Sequence, residues 1–260
     1  MKLDLSGKTA LITGGSSGLG FAMAKSFVLC GAKTIILARD ETRLRKAKIE
    51  IDLLGLEPLV AISCDLTDAS TVAVALSSLI THKISPDIVV NNAGSSARSN
   101  FLDLTEDQLL SDFRLKLFSA IQITQHALPD MKSRRYGRII NVTAIVGKTP
   151  NAGSSPTALS RAAGLAWTKS LSLETAPFGI TVNSLCVGKI ISGQWERRYE
   201  NSVKEESYED YLKKLGSPIP MLRMGHPEEF ANVATFLASD LASYVTGCAI
   251  NVDGGLCAVT

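Results

Sequence analysis

The sequence predicts an α/β fold in which a doubly wound parallel sheet of about seven strands carries helices on both faces. Short runs rich in Val and Ile alternate with longer amphipathic segments along nearly the whole chain, and 45% of the 260 residues are hydrophobic. Strands that are buried on both faces appear as continuous apolar runs, and strand–helix–strand units form right-handed crossovers. The pattern therefore favours a parallel sheet over a sandwich or a helical bundle.

The elements follow one another in regular order. Strands are predicted at residues 9–13, 34–38, 59–63, 88–91, 138–143, 180–185 and 249–252. Helices are predicted at residues 18–30, 42–54, 69–82, 106–128, 156–175 and 227–238. Gly31 and Gly55 follow two of these helices, and Pro129 is expected to end the longest one, because glycine and proline are frequent at helix ends.

One region departs from this alternation. Residues 189–221 are polar, and a single short helix is predicted there at residues 205–215. The rest of the chain shows neither an internal repeat nor a linker between domains. We therefore expect one domain, residues 1–260, with one irregular insert.

Composition limits the classes of partner. The formal net charge is +2 with both signs mixed throughout, which gives no reason to expect nucleic acid or a membrane surface. The three histidines are far apart and indicate no metal site, and the five cysteines form no C-x-x-C pair, so buried free thiols are expected. The sequence has neither a signal peptide nor a membrane-spanning apolar run, which favours a cytoplasmic protein.

A glycine-rich segment follows the first strand. Residues 13–20 read TGGSSGLG and open the first helix. Glycines allow a tight turn and close approach to a pyrophosphate, while the helix N-terminus directs free N–H groups at that anion. The string alone is equally compatible with an ordinary turn, but its position at the first strand–helix turn favours dinucleotide binding in a Rossmann-type fold. The residues expected to contact the dinucleotide here are Gly14, Ser16, Ser17, Gly18, Leu19 and Gly20.

Further motifs follow in an order that resembles the short-chain dehydrogenase/reductase family, in particular its 3-oxoacyl-[acyl-carrier-protein] reductase-like members. They are NNAG at 91–94, GRIINV at 137–142, RMGHPEE at 223–229 and VDGG at 252–255. The resemblance covers essentially the whole chain. It implies a nicotinamide dinucleotide, a small-molecule substrate and assembly as a homotetramer or dimer.

The resemblance also implies further cofactor contacts. These residues are Asp65, Leu66, Asn92, Ala93, Gly94, Gly188 and Ser192. Taken alone, Asp65 is better explained as a turn or helix-capping aspartate, and the amides of Asn91 and Asn92 as part of a simple turn. Together with the glycine loop, these residues favour dinucleotide binding.

The end of the second strand bears on the choice of dinucleotide. An acidic side chain there would bind the ribose 2′-hydroxyl of NAD and repel a 2′-phosphate. This sequence has Ala38, and Arg39 follows with a side chain suited to a phosphate, with Arg43 close behind. Asp40 is the one opposing residue, and a helix N-cap explains it. NADP(H) is therefore predicted over NAD(H).

The family's catalytic tetrad is replaced. Its tyrosine and lysine lie four residues apart on one helix, its serine follows the fifth strand, and its asparagine lies on the preceding long helix. Matching the motifs puts Thr157, Arg161, Ala144 and Lys116 at these four positions. No tyrosine occurs from 137 to 198, no lysine from 149 to 168, and no asparagine from 101 to 140, so no shift of the alignment restores the set.

These replacements change the chemistry that is available. Thr157 is far less acidic than a phenol, and Arg161 stays protonated, so neither replaces the missing proton donor. Lys116 and Arg161 are expected to form a cationic pocket for a carboxylate, a phosphate or a developing oxyanion, with Lys116 as proton donor or oxyanion holder. The alternative is that Lys116 is only a solvated or ion-paired helix residue.

The neighbouring segments are interpreted as structural or as part of a lid. Ser155 is expected to cap the helix that begins with Pro156, and Thr143 to be a strand residue. The insert at 189–221 corresponds to the family's substrate lid. Its QWERRY segment at 194–199 would cover an acidic substrate or pack against a neighbouring subunit.

Three functions remain open at this point. The first is an NADP(H)-dependent oxidoreductase that acts on a carbonyl or hydroxyl substrate with non-standard acid/base residues. The second is an inactive homologue that serves as a nucleotide sensor or as a partner subunit. The third is a cofactor-free enzyme on the same scaffold, against which the intact glycine loop argues.

Overall fold

The computed structural model describes residues 3–201 and 206–260. The strands are β1 (Thr9–Thr13), β2 (Lys33–Ala38), β3 (Val60–Ser63), β4 (Ile88–Asn91), β5 (Arg98–Ser99), β6 (Gly137–Ala144), β7 (Ser155–Pro156), β8 (Ile180–Val187) and β9 (Ala249–Val252). The helices are α1 (Gly18–Leu29), α2 (Glu41–Asp52), α3 (Ala69–Thr81), α4 (Glu106–Phe113), α5 (Ser119–Arg134), α6 (Thr157–Thr175), α7 (Gly193–Glu200), α8 (Tyr208–Gly216) and α9 (Pro227–Ala238).

Seven of these strands form one parallel sheet in the order β3-β2-β1-β4-β6-β8-β9. The chain first winds outward from β1 to β3 and then returns to the other side of β1 to continue with β4. Ligands of open parallel sheets bind outside the carboxyl ends of the strands where the winding direction reverses. The predicted fold class is confirmed, and the crevice lies between the ends of β1 and β4.

Two apolar layers hold helices on the two faces of the sheet. Ile36 packs with α1, α2 and α9, whereas its neighbours Ile35 and Leu37 pack on the opposite face with α3, α5 and α6. Side chains alternate between the faces of a strand, so a strand covered on both sides needs apolar residues at every position. The uninterrupted Val and Ile runs of the sequence follow from this requirement.

The prediction of one helix over 106–128 was wrong in two respects. The segment is divided into α4, a π-helical turn at Arg114–Phe118 and α5, and Pro129 lies inside α5 rather than at its end. Proline removes one backbone hydrogen bond and strains the preceding turn. The buried side chains of Ile123, Ala127 and Met131, which pack against the sheet on either side of Pro129, outweigh this cost.

The start of α6 also differs from the prediction. Ser155 does not cap the helix, because Ser155 and Pro156 pair with β5 as a short antiparallel ladder and the helix begins at Thr157. Thr143 lies within β6, as predicted.

The insert contains more helix than predicted. Its second helix, α8, covers most of the predicted 205–215 segment, of which Glu205 lies outside the described residues. The preceding helix, α7, was not predicted, because none of its eight residues is buried and the segment therefore shows no apolar periodicity.

The cysteines only partly fit the prediction. Cys64 and Cys186 are buried as expected, whereas Cys248 is exposed in the loop that leads to β9.

Within 3–201 and 206–260, no helix combines the length and the apolar character that a membrane span requires.

Candidate active site

The turn after β1 requires glycine at defined points. Gly18 has a φ of +54°, in the left-handed region, and a Cβ on Gly20 would lie 2.2 Å from the carbonyl oxygen of Gly14. The backbone of the loop therefore closes on itself at a distance that only glycine permits. Ser192 approaches from the other side, with its Cβ 3.9 Å from the position of a Cβ on Gly18.

The end of β4 is tied directly to this loop. The hydroxyl oxygen of Thr13 accepts hydrogen bonds from the backbone N–H groups of Asn92 and Ala93 at 2.9 and 3.0 Å. The side-chain amide of Asn92 donates to the carbonyl oxygens of Thr13 and Gly14 at 2.8 and 3.3 Å. The predicted residues Gly14, Asn92 and Ala93 are thus brought together on the two sides of the crevice.

The N-terminus of α1 fits a diphosphate. Within the described structure, Ser17 makes no side-chain cap hydrogen bond, and the first turn of α1 carries no acidic residue. Helix N-termini have unpaired N–H groups and a partial positive charge, which suits an anion held over a glycine loop. Gly188 follows β8, and its N–H donates to the carbonyl oxygen of Val252 at 3.1 Å.

The end of β2 presents an accessible guanidinium. Arg39 is exposed, and its Nη1 lies 3.9 Å from a carboxylate oxygen of Asp65. Asp40 caps α2 by accepting from the N–H of Arg43 at 3.0 Å, as predicted, and its other oxygen lies 3.3 Å from Arg43 Nε. Asp40 is therefore engaged within its own turn. Asp65 also shapes its turn by accepting from the N–H and hydroxyl of Thr67, while the adjacent Leu66 is buried.

A buried ion pair lies at the carboxyl ends of the central strands. Lys116, in the π-helical turn, donates from Nζ to Asp112 Oδ1 at 2.5 Å and to Thr157 Oγ1 at 2.8 Å. The Ser160 hydroxyl donates to Asp112 Oδ2 at 2.6 Å. The side chains of Lys116 and Asp112 are only 1% and 4% exposed, so both charges depend on these partners rather than on water.

Arg161 completes the cluster. It donates from Nη1 to the carbonyl oxygen of Val142 in β6 at 2.6 Å, and its Nε has no partner among the described residues. A Cβ on Gly94 would lie 2.5 Å from Nη2 of Arg161 and 3.5 Å from Cγ of Lys116. Gly94 therefore allows both cationic side chains to approach the backbone that follows β4.

Thr157 and Ala144 take up the remaining positions of the predicted site. Thr157 Oγ1 accepts both from Lys116 and from the backbone N–H of Ala97 at 2.9 Å, so the hydroxyl holds the loop after β4 against the lysine. Ala144 ends β6 half-buried and offers only a methyl group. All four predicted replacements thus lie around the same end of the sheet.

The surroundings shift the acidity of both cations. Burial, reinforced by the charge of Arg161, lowers the pKa of Lys116 from 10.5 to about 8, although the bond to Asp112 acts in the opposite direction. Burial lowers the pKa of Arg161 to about 10, opposed by the charge of Asp112. Two cations share one carboxylate, and an anion or a developing negative charge is favoured beside them.

Two residues of the cluster were missed in the sequence. Asp112 precedes Lys116 by four positions on a predicted helix, a spacing that places the side chains on one face and could have indicated the pair. Ser160 carried no such signal, because its bond to Asp112 depends on how α6 packs against α4.

The crevice and this cluster define a class of protein, a nucleotide-binding oxidoreductase of the Rossmann type. A family model described as enoyl-(acyl carrier protein) reductase matches residues 14–257. Oxidoreductase UcpA of Escherichia coli (strain K12) is 34% identical over 253 residues, which cover 96% of this chain and 95% of UcpA. The 3-oxoacyl-[acyl-carrier-protein] reductase FabG of Aquifex aeolicus (strain VF5) is 32% identical over 256 residues, 98% of this chain and 100% of FabG. The chain belongs to the short-chain dehydrogenase/reductase family.

Solved structures agree with this assignment. The NADPH-bound short chain oxidoreductase from Pseudomonas aeruginosa PAO1, described as containing an atypical catalytic center, has a TM-score of 0.91 and 34% identity, with 100% of both chains covered. The L-sorbose reductase from Gluconobacter frateurii complexed with NADPH and L-sorbose has a TM-score of 0.93 and 28% identity, again with full coverage of both chains.

The buried pair generates a stability prediction. Asp112→Leu leaves the Lys116 charge without its carboxylate, and we expect the free energy of unfolding in urea to fall by about 3–5 kcal/mol. Lys116→Met in the same background removes the orphaned charge, so the double variant should recover a large part of the loss. Asp107→Leu, at an exposed position of α4, serves as control and should cost under about 1 kcal/mol. If Asp112→Leu left the free energy of unfolding unchanged, the stabilising role of the ion pair would be contradicted.

Proposed function

We propose that this protein is an NADP(H)-dependent oxidoreductase that interconverts a carbonyl and a hydroxyl group, with Lys116 in the role that a tyrosine has elsewhere in the family. The observation that carries the proposal is the buried Lys116–Asp112 pair, bonded to Thr157 and placed beside Arg161 and Gly94. The position of this pair at the carboxyl ends of β4 and β6 is where ligands of parallel sheets bind.

The ammonium of Lys116 has three N–H donors, and a substrate would use the one that the protein leaves over. Two of its three N–H groups are taken by Asp112 and Thr157. When bound, NADPH supplies the hydride that reduces the carbonyl carbon. The third N–H of Lys116 donates its proton to the carbonyl oxygen, the C=O π electrons form the new O–H bond, and the lysine is left as a neutral amine.

The acidity of Lys116 matches this task. With a pKa of about 8, the ammonium is mostly protonated at neutral pH and yet gives up its proton far more readily than an ordinary lysine. Arg161 contributes in two ways, because its charge lowers that pKa and also stabilises negative charge that develops on the substrate oxygen. Asp112 and Thr157 hold the amine in place.

Several residues of the crevice would hold the cofactor. The glycine loop and the N-terminus of α1 suit the diphosphate, and Asn92 and Ala93 fix the opposite wall. Arg39 would bind a 2′-phosphate, because its side chain is exposed, its contact with Asp65 is a loose one at 3.9 Å, and no acidic residue ends β2. NADPH in the Pseudomonas aeruginosa and Gluconobacter frateurii structures supports NADP(H) over NAD(H).

A second candidate function is a nucleotide-binding sensor or an inactive partner subunit. The specific observation in its favour is that Asp112 already neutralises Lys116, as in a purely structural ion pair. A sensor would bind NADPH and yet reduce no carbonyl substrate.

The proposed assembly is a homo-oligomer, either a tetramer or a dimer. Exposed apolar side chains on α4, α6 and the π-helical turn between α4 and α5 support it, among them Leu110, Phe118, Leu159 and Leu173. A contact surface between subunits would cover these side chains.

Lys116→Arg tests the proton donor. Arginine keeps the charge but stays protonated, so we expect kcat for carbonyl reduction to fall by roughly 10²- to 10⁴-fold while NADPH affinity is retained. In the native protein the donor is the protonated form, so reduction should persist below pH 8 and decline as the pH rises through the Lys116 pKa of about 8. Lys46→Arg on α2 is the control. Unchanged turnover in Lys116→Arg would contradict Lys116 as the proton donor, whereas a native protein that binds NADPH without any turnover would favour the sensor.

Arg39→Ala tests the cofactor preference. Loss of a charge-assisted contact with the 2′-phosphate should weaken NADPH binding by about 10- to 100-fold and leave NADH binding unchanged, as measured by calorimetric titration. Arg45→Ala, at an exposed position of α2, should bind both cofactors as the native protein does. If the native protein bound neither dinucleotide, the oxidoreductase proposal would have to be abandoned.

A further inference from the structure

The loop after β4 is lined by cations at both ends. At Gly94 it meets the guanidinium of Arg161 and the side chain of Lys116. At Ser96 it meets the Arg198 guanidinium of α7, whose Nη2 lies 3.5 Å from the Ser96 hydroxyl. Between these points, the N–H of Ala97 is fixed on Thr157. One short backbone segment, residues 94–97, therefore runs past three positive charges.

Arg198 is held in place without a carboxylate. Its guanidinium lies 4.7 Å from the ring centroid of Trp195, a cation–π geometry that restricts a long side chain. None of the ion pairs formed by residues 3–201 and 206–260 includes Arg198. The acidic residues of α7 are Glu196 and Glu200, and among the described residues neither forms an ion pair with Arg198. Burial and, after it, the charge of Glu196 raise the pKa of Tyr208.

The charges around the segment do not balance. Lys116 and Arg161 share the single carboxylate of Asp112, and Arg198 adds a further positive charge at the other end. A guanidinium that is fixed but unpaired at the edge of a crevice is suited to bind a carboxylate in bidentate fashion.

Resting on the proposed function, we infer that the substrate is a short oxo carboxylate whose carbonyl oxygen meets Lys116 and Arg161 and whose carboxylate is bound by Arg198. Gly94 and Ser96 are two residues apart, so their Cα atoms are separated by at most about 7 Å. This short spacing favours a substrate whose carbonyl and carboxylate are a few bonds apart, and oxo acids of about four to six carbons are the class that we infer. Reduction consumes one hydride from NADPH and one proton from Lys116 and yields the hydroxy carboxylate and NADP⁺.

The test uses matched pairs of probes on the native protein with NADPH. The probes are 2-, 3- and 4-oxo carboxylates of four to six carbons and their methyl esters, which keep the ketone and remove the negative charge. NADPH oxidation gives kcat and KM, and calorimetric titration of the corresponding hydroxy carboxylates into the NADP⁺-loaded protein gives Kd without turnover. Arg198→Met is compared with Lys213→Met, which removes a cation that is paired with Glu209 and Asp210 on α8.

We expect at least one carboxylate to be reduced with a kcat/KM about 10- to 100-fold above that of its ester. Arg198→Met should raise KM and Kd for that acid by the same factor. The kcat for the acid and the kinetic constants for the ester should stay unchanged, and the variant should unfold at the native melting temperature. Lys213→Met should match the native protein throughout.

Failure of the inference and failure of the function give different results. Equal kinetics for acids and esters, or an acid KM that Arg198→Met does not change, would overturn the role of Arg198 while carbonyl reduction stands. If the protein still binds NADPH but neither reduces nor binds any probe, the oxo carboxylate is overturned as the substrate. Turnover that is unaffected by Lys116→Arg would refute the proposed function itself.

Discussion

The buried ion pair between Lys116 and Asp112 is the interaction on which the rest of the candidate site depends. Two charges without solvent persist in a protein interior only when their remaining hydrogen-bonding groups are satisfied. Here α6 supplies both partners, with Thr157 on the lysine and Ser160 on the aspartate. The pair therefore fixes the π-helical turn against α6, and with it the distance between Lys116 and the end of the sheet.

A second set of contacts joins this cluster to the glycine loop. Thr13 and Asn92 tie the glycine loop to the residues after β4, and Gly94 carries that backbone to Arg161 and Lys116. A dinucleotide that extends from the N-terminus of α1 across the strand ends would reach this cluster. The glycine loop and the cluster of Lys116 and Arg161 are thus held in one framework at the strand ends.

The sequence was sufficient to predict the architecture, because strands covered on both faces must be apolar at every position. It also predicted that Lys116, Thr157 and Arg161 would lie together, since the motifs around them set their places at the strand ends. The π-helical turn and the helical position of Pro129 were not predictable, because the packing of α5 on the sheet decides both. Ser160 was missed because its partner Asp112 lies on another helix, so no local spacing connects them.

The most direct test is a pH titration of the Lys116 side chain by NMR with lysine labelled at the ε carbon, using Lys116→Arg to assign its signal. The account predicts that this ammonium titrates at about pH 8, because it is buried beside Arg161 with only one carboxylate between them. Addition of NADPH should perturb the signal. A Lys116 signal that titrates near 10.5, as a solvated lysine does, would contradict the proposed proton donor.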